Sequence, residues 1–144
     1  MPEFYSQAAI DASRGLDAFT RGYIVALYFT ESGDYDDDLT PEENSDNGAQ
    51  FDVEDELSAE AIAAIRDVCE DFQRSNSELL AQYRECTGRD DESAGHDFWL
   101  TRNRHGSGFW DHGNHSCLRE LTESARAYGE SWAYRGDDGK VYVQ

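Results

Sequence analysis

Lysine is nearly missing from this 144-residue chain: Lys140 stands alone beside eleven arginines. Thirty-one acids oppose those twelve bases, for a net charge of -19. Duplex DNA is bound mainly by neutralising phosphates with Lys and Arg, so direct nucleic-acid binding is not expected. An anionic lipid surface is repelled for the same reason. No apolar run approaches the roughly 18 residues that read as a membrane span. The opening "MPEFYSQAAIDASRG" lacks a basic start followed by an apolar stretch, so no secretory signal is expected and a cytoplasmic setting is. Cysteine is scarce too. Cys69, Cys86 and Cys117 are an odd number with no close pair, which argues against a disulfide framework and for reduced thiols.

Aromatic residues, by contrast, make up 12% of the chain. Disordered chains are poor in them, so a folded, ring-rich core is expected within one domain spanning 1–144. The acids form a block. Thirteen lie between Glu31 and Glu60, where no Lys or Arg occurs, whereas residues 95–126 hold four acids and four arginines. Within the block, "ESGDYDDDLTPEENSDNGAQ" (31–50) reads as a mobile acidic loop, since like charges repel and extend.

Periodicity supplies the rest of the fold. "LDAFTRGYIVALYFT" places Leu16, Phe19, Tyr23, Ala26 and Leu27 at helical steps, and a strand over 23–29 competes with that reading. A second helix starts after the N-cap candidate Ser58 and carries Ile62, Ile65, Cys69, Phe72, Leu79, Leu80 and Tyr83 in one stripe toward Gly88. "SNS" at 75–77 is weak enough to kink or divide it. A third helix is expected at about 116–128, stopped by Gly129. "DFWLTR" alternates like a half-buried strand, so a hairpin pairing 97–102 with 108–111 is expected around "NRHGSG". "SWAYRGDDGKVYV" reads as a closing hairpin, with Trp132 and Tyr134 facing Val141 and Val143. The predicted fold class is α+β: about three helices packed on a small antiparallel sheet of two short hairpins.

The stretch "GHDFWLTRNRHGSGFWDHGNH" (95–115) holds all four histidines. His96, Asp97, His105 and Asp111 are candidates for a catalytic or metal-binding cluster. His105 would pair with Asp97 or Asp111 as base and orienter, with Thr101, Ser107 and Cys117 as the nearby nucleophiles. His112, His115 and Cys117 in "HGNHSC" have ligand-like spacing without matching an established zinc pattern. The stronger reading is structural, with Phe98, Trp99, Leu100, Phe109 and Trp110 filling the core. Neither a metal nor a cofactor is expected.

"AGHDFWLTRNRHGSGFWD", with a helix following and the ending "YRGDDGKVYV", resembles a recurrent family of small proteins encoded by tailed bacteriophages. Gly95 to Asn103, His105, Gly106 and Gly108 to Asp111 carry the resemblance. Relatives commonly have Gly where Arg104 stands and Arg where His112 stands. The resemblance implies a phage origin and the host cytoplasm as setting, and no reaction. With the charge, it sets the functional expectation: a non-enzymatic acidic accessory protein that inhibits or diverts a basic host protein, of the nucleic-acid-binding or defence kind. The expected partner-binding residues are Asp34, Asp36, Asp37, Asp38, Glu42, Glu43, Asp52, Glu54, Asp55 and Glu56.

Overall fold

The computed structural model describes residues 6–144. Seven α-helices and four short strands follow in order among these residues: α1 (Gln7–Ala12), α2 (Ala18–Glu31), β1 (Ser32–Gly33), α3 (Pro41–Asp46), β2 (Phe51–Asp52), α4 (Ala59–Ser75), α5 (Ser77–Thr87), α6 (Asp91–Arg102), α7 (Ser116–Ala127), β3 (Ala133–Arg135) and β4 (Val141–Val143). The mixed α and β character is as expected, but helices dominate and their number is about seven rather than three. In place of one antiparallel sheet there are two separate pairs. β1 and β2 run parallel; β3 and β4 run antiparallel, with Ala133 opposite Val143 and Tyr134 opposite Tyr142. The closing hairpin is therefore present, shifted in register from the expected facing of Trp132 and Tyr134 on the two valines.

The main correction concerns residues 97–111. Residues 97–102 are the second half of helix α6, and Phe109–Asp111 is a single 3₁₀ turn, not a return strand. The local chemistry favours a helix start: Asp90 accepts from the Ser93 N–H at 2.9 Å, and Asp91 and Glu92 sit at the positive end of the dipole. Strand-like alternation arose because α6 is packed on several sides, by α2, the 3₁₀ turn and α7. Residues 97–102 are all buried. A helix buried all round has no polar face to reveal its period.

Around α2 and α6 the core is made of rings. Phe72 on α4 lies at its centre, stacked on Phe98 with centroids 4.0 Å apart and flanked by Phe19 and Phe109 at 5.8 and 6.0 Å. Tyr23 meets the Trp99 ring edge-on, and Trp99 donates its Nε1–H to Thr30 Oγ1 at 2.7 Å. Ser58 caps α4 as expected, accepting from the Ala61 N–H at 3.0 Å. The "SNS" stretch divides the long helix at Asn76, whose side chain donates to the Phe72 carbonyl. Gly88 ends α5 in the left-handed region, at φ 72°.

Candidate functional site

Among the described residues, the 95–115 stretch supplies the one buried carboxylate, and it is a hub of polar contacts. Asp97 is 3% exposed on α6. Its Oδ2 accepts the Tyr83 hydroxyl at 2.7 Å and lies 2.9 Å from His112 Nε2. Arg89 donates Nε–H to the Tyr83 hydroxyl at 3.2 Å, so a polar relay runs from the end of α5 through α6 to the loop before α7. Burial, then the Asp97 charge, pushes the Tyr83 pKa up, which keeps the phenol a donor. A guanidinium would suit this carboxylate as well as an imidazole does.

The sequence-expected catalytic set is not assembled. Asp97 pairs with His112, not with His105. His96 points away toward Phe29, their rings 6.4 Å apart, and burial lowers its pKa against the raising effect of Asp97. His105 gives its backbone N–H to the Leu100 carbonyl, and burial lowers its pKa too. Asp111 is exposed on the 3₁₀ turn. Among the nucleophile candidates, Thr101 is fully buried and its Oγ1 accepts the Phe109 N–H at 3.1 Å. Among the described residues, no three His, Cys, Asp or Glu side chains are placed to share a metal ion.

Most of the motif has a packing role. A methyl group on Gly95 would run into the Phe19 carbonyl of α2, and one on Gly22 into the Glu92 carbonyl of α6, so the two helices touch backbone to backbone. A methyl on Gly108 would strike Thr101 Oγ1. Arg102 is buried and donates to the Gly129 carbonyl, the Tyr23 hydroxyl and the Tyr128 carbonyl at 2.8, 3.1 and 3.2 Å. Asn103 bonds the Trp99 carbonyl and the Ser131 N–H. Arg104 adopts φ 58°, a conformation that costs a side chain more than it costs glycine.

The acidic segment has more structure than the expected irregular loop. Thr40 and Glu43 form a reciprocal capping box, with Pro41 at the first turn, and start helix α3. The signal was in the sequence as Thr-Pro-Glu-Glu, hidden under the charge. Buried Asn44 ties the segment together, accepting the Asp36 N–H at 2.8 Å and donating to the Asp36 and Thr40 carbonyls. Arg135 on β3, which the sequence reading did not single out, clamps the segment to the hairpin. It pairs with Asp37, lies 3.3 Å from Asp55 Oδ2 and sits over the Tyr35 ring at 4.7 Å.

The ten expected partner-binding carboxylates divide in two. Six have local duties: Asp36 accepts from Asp38 N–H, Glu43 from Thr40, Asp52 from Tyr35 and Glu54, and Asp55 from Asp52, while Asp37 and Glu56 pair with Arg135 and Lys140. Asp34, Asp38, Glu42 and Glu54 are exposed, with no side-chain hydrogen bond or ion pair among the described residues. Among the described residues, the thirteen carboxylates between 31 and 60 are thus met by two pairing cations, Arg135 and Lys140.

Comparison with known proteins gave no match to any family model, curated protein or solved structure. No described helix is long and apolar enough to cross a membrane.

Proposed function

We propose that this chain is a non-enzymatic acidic accessory protein that binds a basic protein and inhibits or diverts it. In this reading the partner is a host nucleic-acid-binding or defence protein and the setting is the host cytoplasm, as the phage resemblance implies. One observation carries the reading: residues 31–60 bring thirteen carboxylates and no base, and they are held against the β3–β4 hairpin by Arg135 rather than left as a loose tail. B-DNA carries one charge per roughly 1.7 Å of axis, and a carboxylate-rich surface offers a basic groove a comparable field. Opposite fields also raise encounter rates by about 10 to 1000-fold at low salt.

The four exposed carboxylates without structural duties give a clean test. The variant combining Asp34→Asn, Asp38→Asn, Glu42→Gln and Glu54→Gln is expected to keep wild-type stability. Immobilised wild-type protein is expected to retain a basic protein from host lysate at low salt and to release it to added duplex DNA. The variant is expected to retain much less of it. A partner held equally by both forms, or indifferent to DNA, overturns the reading.

A further inference from the structure

Cys86 and Cys117 are 31 positions apart in sequence, yet the fold brings them together at the seam where α5 packs on α7. Cys86 follows Tyr83 at a helical step near the C-terminal end of α5, two residues before Gly88 ends it. Cys117 lies in the first turn of α7, buried beside Leu118. Cys86 is the side-chain neighbour that, after burial, raises the Cys117 pKa, and both thiols are free. They differ in access: Cys86 is exposed and Cys117 is 2% exposed. The third thiol, Cys69, is fully buried in the core on α4.

We infer that Cys86 and Cys117 form a dithiol site that a low-molecular-weight disulfide oxidises to an intramolecular disulfide linking α5 to α7. With glutathione disulfide as oxidant, the exposed Cys86 thiolate attacks one glutathione sulfur and expels a glutathione thiolate, leaving a mixed disulfide. Cys117 then gives up its proton, attacks Cys86 Sγ and expels the second glutathione. Two protein thiols are oxidised, one glutathione disulfide is reduced to two thiols, and no other reactant is needed. Burial raises the Cys117 pKa, and the neighbouring Cys86 raises it further, so Cys117 is the slower resolving partner and Cys86 the point of entry. The closed loop contains α6 and the 3₁₀ turn with His112, so the bond would tether both ends of the Tyr83–Asp97–His112 relay.

The test uses the full-length protein in glutathione redox buffers, with thiol alkylation and mass spectrometry. The expected product has lost two hydrogen atoms, maps to the Cys86–Cys117 peptide pair, leaves only Cys69 alkylatable after unfolding, and melts at a higher temperature than the reduced form. Cys86→Ser, a change at an exposed position, is expected to abolish the product while leaving the reduced melting temperature unchanged. A stable glutathione adduct on Cys86, a bond to Cys69, disulfide-linked dimers, or three thiols that stay reduced would each overturn the assignment.

Discussion

At the residue scale, Asp97 shows how a histidine- and acid-rich motif can serve the fold. Its carboxylate is buried between a phenol and an imidazole, and removing one partner of such a group leaves the others unsatisfied. Asp97→Ala is expected to cost about 3 kcal/mol of unfolding free energy in urea. His112→Arg is expected to fold with little loss, and a collapse of that variant would remove the relay as an explanation of the motif. His96 makes a separate prediction about pH. Its folded pKa is lowered by burial below the ordinary 6.5. Its contribution to stability is therefore present above pH 6.5 and declines as pH falls below it, because the unfolded chain takes up the proton more readily. Measured from pH 7.5 to about 5.5, wild type is expected to lose stability relative to His96→Gln, with the difference opening only below about 6.5. Parallel profiles would contradict the assigned burial effect.

At the scale of elements, the contact between α2 and α6 organises the molecule, and two glycines permit it. Gly95→Ala places a methyl group against backbone, which no rotamer change can relieve, and is expected to cost about 3 kcal/mol. Chemical denaturation measures it, and a loss below about 0.5 kcal/mol would show that the helices separate easily. The same contact explains what could be read in advance. α2, α4 and α7 show their buried stripes in sequence, and the final hairpin announces itself through "GDDG" between alternating residues. α6 could not be read so, because Asp97, Phe98, Trp99, Leu100, Thr101 and Arg102 are all buried and leave no polar face to show the helical period. The Asp97–His112 pairing was equally hidden: with a hairpin assumed, His105 was the expected partner, whereas it lies beyond the end of α6 and gives its backbone N–H to the Leu100 carbonyl. α3 was legible through Thr40, Pro41 and Glu43, but the surrounding acids argued for a loop.

At the scale of the whole molecule, charge decides more than shape. A net charge of -19 on 144 residues makes the folded state repel itself, and salt screens that repulsion. The melting temperature is expected to rise between about 0.05 and 1 M sodium chloride, and a fall would mean that Arg135, Lys140 and the other ion pairs contribute more than repulsion costs. The same charge on a surface tuned only for solvation would give this stabilisation without any partner, so salt-dependent stability and salt-dependent binding separate the two roles. In the proposed function Asp34, Asp38, Glu42 and Glu54 face a cationic protein. The most direct measurement is the dissociation constant for the captured basic partner at about 0.05 and 0.2 M salt, for wild type and for the variant neutralised at those four positions. Affinity is expected to weaken steeply with salt in wild type, with a shallower slope and weaker binding in the variant. Equal slopes and equal affinities would contradict that function.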